Sequence, residues 1–198
     1  MMSEQSQKTQ AVLNREFYES LKSRAWRAPI LCPPLYDLFK PHTVIDAGCG
    51  CGDLLNWFRE KGCDVRGIEI SNECRDVLFF PPLYLVVNDL TETAPHVYGD
   101  LLICFLVGEY IPPEKDPIFV RNLTKLSRRI AFASTTVNAW GGRIVNCKPN
   151  IEWEKQFRNH GYVNNSFAQR WLRHKWEYCR EKPMIKMIYE NLLVMERP

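Results

Sequence analysis

Four short stretches of this sequence combine residue types and spacings suited to chemistry. In the first, Asp46-Ala47-Gly48-Cys49-Gly50-Cys51-Gly52-Asp53, a glycine stands at every second position. Such a run lets the backbone turn sharply and leaves no Cβ between chain and ligand. A helix starting after it would aim its free N–H groups at the same spot. A dinucleotide fingerprint, G-x-G-x-x-G, would need glycine at position 53, where Asp53 stands and would repel a pyrophosphate. No G-K-[ST] follows, which excludes a P-loop. The pattern fits a polar ligand without phosphates. Twenty-three residues beyond Asp46 comes Glu69, an acid able to accept both hydroxyls of a ribose. Twenty residues further, Asn88-Asp89-Leu90 offers a carboxylate suited to an adenine amino group. The fourth stretch is Phe105-Leu106-Val107-Gly108-Glu109-Tyr110, with a carboxylate and a phenol side by side.

Each stretch follows a segment that reads as a strand. Short apolar runs at 43–47, 64–68, 84–87, 101–106 and 130–134 alternate with helical patterns at 53–61, 72–79, 115–127 and 151–160. Residues 101–106 are almost wholly apolar, as a central strand buried on both faces should be. Residues 1–10 read as a loose tail and 11–27 as an N-terminal helix ended by the prolines at 29, 33 and 34. Beyond Gly161, residues 162–169 and 187–196 read as two further strands joined by a helical or irregular stretch. The alternation predicts one α/β domain over 1–198: a doubly wound, seven-stranded, mainly parallel sheet, helices on both faces, and an antiparallel C-terminal hairpin. Ligands of such sheets bind outside the carboxyl ends of the strands, where the strand order reverses.

Residues 42–135 resemble the class I S-adenosylmethionine-dependent methyltransferases, through "VIDAGCGCGDLLNWFREKGCDVRGIEIS", "NDL", "DLLICFLVGEYIPPE" and "RRIAFAS"; "IEWEKQFRNHGYV" resembles a late helix and strand of that family. The resemblance implies S-adenosyl-L-methionine as cofactor, S-adenosyl-L-homocysteine as product, and no metal. It implies that Asp46, Ala47, Gly48, Cys49 and Gly50 shape the pocket for the methionine part. Glu69 would hold the ribose with Ile70 packed on the adenine. Asn88, Asp89 and Leu90 would surround the adenine, while Phe105 and Leu106 line the route of the acceptor. Tyr18 and Trp26 on the N-terminal helix would form a lid, with Tyr18 against the cofactor. Many relatives carry Glu-His after the fourth strand; here the pair is Glu109-Tyr110, which leaves a carboxylate or a phenol to orient or deprotonate the acceptor.

The acceptor is less legible. The stretch 136–198 is expected to supply its side of the site, and Asn138, Trp140, Arg143 and Asn146 are available to bind a small molecule. No Asn/Asp-Pro-Pro-aromatic motif follows the fourth strand, which weakens a flipped nucleobase as substrate. Residues 169–186, with six Arg or Lys among aromatics, keep nucleic acid open as an alternative partner. The net charge of +3 gives that alternative little support. A catalytically silent, partner-binding subunit is a further alternative, disfavoured because Glu69 and Asp89 are both present. The eight cysteines form no C-x-x-C pair, so zinc is poorly supported, and free thiols in a reducing, cytoplasmic compartment are expected. The longest apolar run, 101–107, is too short to span a bilayer.

Overall fold

The computed structural model describes residues 13–136 and 144–198. Seven strands form one sheet in the order β3-β2-β1-β4-β5-β7-β6. They are β1 (Thr43–Ala47), β2 (Asp64–Glu69), β3 (Leu85–Val87), β4 (Leu101–Phe105), β5 (Arg129–Ala133), β6 (Val163–Asn164) and β7 (Leu193–Glu196). The first five are mutually parallel, and β7 runs antiparallel to both β5 and β6. This is the doubly wound sheet with an antiparallel C-terminal pair that the alternation implied.

Period two along the strands feeds two separate cores. Val44, Val65, Leu101, Ile103, Phe105 and Val194 pack with α1 (Arg15–Leu21), α2 (Ala28–Phe39), α3 (Asp53–Glu60), α6 (Ser166–Trp176) and α7 (Pro183–Asn191). Their alternates, including Ile45, Ile68, Leu102, Cys104, Ile130 and Phe132, pack with α4 (Asp116–Leu123) and α5 (Asn150–Arg158). All five residues of β4 are buried, as the apolar run required.

The two ends of the chain depart from the sequence reading. The prolines do not end the N-terminal helical region. Helix α1, capped by the Asn14 side chain, runs into a 3-10 segment, Lys22–Arg27, and then into α2. Pro29 sits in the first turn of α2, where a missing N–H costs nothing, but Pro33 and Pro34 lie inside the helix. Burial of Leu31, Cys32 and Leu35 outweighs the lost backbone hydrogen bonds. Near the C-terminus, strand propensity at 162–169 and 187–196 yields to helix over half of each stretch. Asn165 caps α6, and Ala168, Leu172 and Trp176 recur every four residues on its buried face. Pro183 opens α7, whose Met184, Ile185, Met187 and Ile188 follow the same helical period. The expected helix at 72–79 is a 3-10 segment, Asn72–Val77, capped by Ser71.

Candidate active site

Strand order reverses between β1 and β4, and a cavity of about 1050 Å³ opens at the carboxyl ends of β1 to β4. Its first wall is the turn after β1. Gly48 and Gly50 both have positive φ, 74° and 58°. A Cβ on Gly48 would stand 2.4 Å from Val107 Cγ2, and one on Gly50 would stand 2.8 Å from Leu21 Cδ1. Both neighbours line the same cavity, so the missing side chains are what let three elements meet there.

The amides of this turn point inward. Gly48 and Cys49 N–H both donate to Ile68 O, Gly52 N–H donates to Cys49 O, and Gly50 N–H donates to Glu69 Oε2 at 3.0 Å. These four turn amides are therefore taken by the protein's own oxygens. Around them stand three buried carboxylates, Asp46, Asp53 and Glu69. Arg27 clasps Asp53 through two hydrogen bonds of 2.8 and 2.9 Å, so the aspartate at the start of α3 is already paired. Burial pushes the Asp46 carboxyl up to about 7, with Arg27 opposing the shift. Asp46 and Ala47 lie beneath the turn and do not line the cavity, unlike Gly48, Cys49 and Gly50.

Glu69, at the end of β2, is 8% exposed. Its Oε1 accepts from the Tyr18 hydroxyl at 3.1 Å and from Ile70 N–H at 2.9 Å. Burial raises its pKa, and the donors from Gly50, Ile70 and Tyr18 oppose that rise. Tyr18 is itself buried, and its position beside a carboxylate in a dry site holds its phenol well above the usual range. After β3, Asp89 Oδ1 accepts from both Thr91 N–H and Thr91 Oγ1, which fixes the carboxylate. Asn88 donates to Thr93 Oγ1, while its buried Oδ1 has no partner among the described residues. Ile70, Asn88, Asp89 and Leu90 all line the cavity.

At the end of β4, Phe105 packs edge-on against Trp176. Leu106 follows with φ 59°, a left-handed conformation that costs a non-glycine residue roughly 1–2 kcal/mol. Both residues, with Glu109 and Tyr110, line the cavity. Glu109 is only 1% exposed. Its Oε2 accepts from Ser134 Oγ at 3.1 Å, and its backbone carbonyl accepts from Val145 and Asn146 N–H. Burial pushes its carboxyl up to about 7, against the pull of its own N–H, Ser134 and Thr135.

The expected acceptor residues are not brought to this wall. Asn146 is buried with its Nδ2 donating to Asp116 Oδ1, beside the Lys148–Asp116 ion pair, and it does not line the cavity. It ties the segment 146–148 to the start of α4 instead. Asn138, Trp140 and Arg143 lie outside the described residues. Of 169–186, only Met184 lines the cavity. Trp176 and Leu172 of that stretch are buried, Arg173 caps the carbonyls at the end of α7, and Arg180 pairs with Glu177 and Glu181. Sequence reasoning missed Leu21, Arg24 and Arg27, three cavity-lining residues at i, i+3 and i+6 around the 3-10 segment. The only signal was that spacing, and the Arg27–Asp53 pair that anchors it spans 26 residues. Trp26 does not line the cavity; Lys182 lies over its ring. Among the described residues no group of His, Cys, Asp or Glu is arranged to hold a metal, and no helix is long and apolar enough to cross a membrane.

Sheet order, cavity position and the carboxylates at successive strand ends together define a class I methyltransferase fold. The family model for the methyltransferase domain matches residues 14–188, and the chain belongs to that family. A search of curated proteins returned no match. Among solved structures, the chain is similar to a TehB-like SAM-dependent methyltransferase from Corynebacterium glutamicum, with 19% identity over 77% of this chain and 86% of that one and a TM-score of 0.58. It is similar to magnesium protoporphyrin IX methyltransferase from Synechocystis, solved with bound SAH, with 18% identity, coverage of 100% and 89%, and a TM-score of 0.58. The plantazolicin methyltransferase BpumL, also solved with SAH, shares 13% identity over 99% and 91% of the two chains with a TM-score of 0.57.

Proposed function

We propose that this methyltransferase uses S-adenosylmethionine and methylates a small-molecule acceptor inside the strand-end cavity. The observation that carries the cofactor is the charge pattern of the turn. Four of its amides are consumed by the protein's own oxygens, and Asp46, Asp53 and Glu69 surround it. Such a site disfavours a phosphate and suits a cationic, hydroxyl-bearing ligand. Glu69 fits a ribose, and the orphaned Asn88 Oδ1 and the cavity-lining Asp89 fit an adenine amino group. The cofactor, when bound, supplies a methyl group on a positively charged sulfur, ready for in-line displacement.

The chain's own task is then to align the acceptor and keep water out. Phe105, Leu106 and Tyr110, at and after the end of β4, line the cavity. Glu109 is our choice for the group that orients the acceptor or takes its proton, because burial raises its carboxyl to about 7 and the residue lines the cavity. The small-molecule reading is supported by the fate of 169–186, which contributes one methionine and no basic side chain to the cavity wall. Eight free thiols fit a reducing, cytoplasmic setting.

The test is calorimetric titration with S-adenosylmethionine and S-adenosylhomocysteine, alongside Glu69→Ala. Losing charge-assisted hydrogen bonds to the ribose should weaken binding about 10- to 150-fold. A folded wild-type protein that binds neither ligand would sink the reading.

A further inference from the structure

Two buried acids line the cavity and form no ion pair among the described residues, Glu69 and Glu109. Glu69, with Tyr18, Gly50 and Ile70 donating to it, is the acid already placed against the ribose. Glu109 is left for the acceptor. Its donors are neutral, from Ser134, Thr135 and its own N–H. The ionisable groups that respond to its charge are the thiols of Cys104 and Cys147, which burial keeps protonated. Cations meet other acids: Arg27 holds Asp53, Lys115 holds Glu92 and Lys148 holds Asp116. Burial, then Arg27, Tyr110, Cys51 and Asp53, govern Arg24, the remaining cation of the wall. Phe105, Leu106, Ile111 and Pro112, close to Glu109 in sequence, line the cavity too, as does Met184 from α7. A ligand at Glu109 therefore meets a buried carboxyl set in apolar surface. The cavity, about 1050 Å³, exceeds the roughly 300–1,000 Å³ of a single-ligand pocket, which leaves room for a second molecule.

We propose that the acceptor is an amine, bound as its ammonium against Glu109 and methylated at nitrogen. The assignment rests on S-adenosylmethionine being the cofactor and on Glu109 being the acid of the acceptor side. An ammonium supplies the counter-charge that a buried carboxylate lacks here. Its N–H bond then breaks and the proton passes to a Glu109 oxygen. The pair left on nitrogen forms the new N–CH₃ bond, and the pair of the breaking C–S bond stays on sulfur. The methylated amine leaves as a cation, and Glu109 returns its proton to solvent. Two opposite charges have become two neutral groups before the methyl moves, a change that a dry cavity favours. An alcohol gains nothing equivalent, because passing its proton to the carboxylate leaves the same single negative charge in place.

The probes share a shape and differ in charge: phenethylamine, phenethyl alcohol and phenylacetate, with ethylamine, ethanol and acetate as a smaller set. Each is titrated calorimetrically into the S-adenosylhomocysteine-loaded protein, wild type and Glu109→Gln, with thermal melts to confirm folding. Phenethylamine should bind wild type about 10- to 100-fold more tightly than the alcohol at pH 8. Its affinity should fall about tenfold between pH 8 and pH 6, as Glu109 takes up its proton around 7 while the amine stays charged. The alcohol should show no such fall. In Glu109→Gln the preference for the amine should shrink to within about twofold. Asp46 titrates in the same range but does not line the cavity, and that variant separates its share. If the variant does not fold, the pH comparison in wild type still decides. With S-adenosylmethionine in place of S-adenosylhomocysteine, mass spectrometry should find the N-methylated amine. Binding without that product overturns the transfer step. The assignment is also overturned if the alcohol or phenylacetate binds as tightly as the amine, if the preference survives in Glu109→Gln, or if the loaded protein binds none of the six probes. A protein that does not bind S-adenosylhomocysteine itself removes the cofactor reading beneath it.

Discussion

Glu109 is a buried acid that the fold holds at an unusual affinity for its proton. Its carboxyl rises to about 7 in the folded protein because burial disfavours the charge more than Ser134, Thr135 and its own N–H favour it. A carboxyl raised on folding contributes stability that is complete below its unfolded value, near 4.3, and lost as pH rises through about 7. Wild type should therefore melt at lower temperature at pH 8 than at pH 5. Asp46, also raised to about 7 by burial, adds a dependence of the same sign. Glu109→Gln, which cannot ionise, should remove its own share of that dependence and gain up to about 3 kcal/mol at pH 8; an unchanged pH profile in thermal melts would show that another group is responsible. Gly48 makes a different demand. With φ 74° and Val107 Cγ2 only 2.4 Å from its virtual Cβ, Gly48→Ala should cost about 2–4 kcal/mol in denaturant unfolding. A loss under 1 kcal/mol would mean that Val107 yields freely.

At the scale of elements, α1 governs how Glu69 is presented. Tyr18 and Ile70 already donate to Oε1, and Gly50 donates to Oε2. A ribose diol needs an acceptor position on each oxygen, so the Tyr18 hydroxyl competes for one of them. Tyr18→Phe should thus lower the melting stability by about 1–2 kcal/mol and tighten S-adenosylhomocysteine several-fold. Weaker binding in calorimetry would instead make the phenol a direct cofactor contact. The position of α1 over Glu69 was open to sequence reasoning only through the family resemblance, since residues 18 and 69 share no local pattern. The strands and the glycine turn were legible because period two and alternating glycines are local signals. Pro33 and Pro34 misled because local propensity says nothing about the burial of Leu31 and Leu35, 0% exposed each. The β-branched and aromatic residues near both ends of 162–196 misled in the same way, with Trp176 and Ile188 buried through helical faces. Asn146 read as a ligand-binding side chain because nothing in the sequence announces Asp116 and Lys148 as its neighbours.

For the molecule as a whole, the sheet separates two cores. One core is closed by helices that follow their strands in sequence; the other is closed on the cavity side by the segment before β1. The protein's charge is nearly balanced at +3, and basic residues of 169–186 pair with carbonyls, glutamates and aromatic rings. Single-stranded RNA should accordingly show no saturable binding at 150 mM salt, about the physiological ionic strength, in fluorescence anisotropy. Micromolar binding competing with cofactor would favour a nucleic-acid acceptor.

The cavity wall made by Leu13, Phe17, Tyr18, Leu21, Arg24 and Arg27 comes from one stretch outside the sheet. It is fastened to the turn and to β2 by the Arg27–Asp53 pair and the Tyr18–Glu69 hydrogen bond. Residence time in the cavity is then a property of that stretch's detachment rate. Substitutions at its two fastenings should speed entry and departure together, so that affinity alone would understate how strongly they alter the protein's turnover.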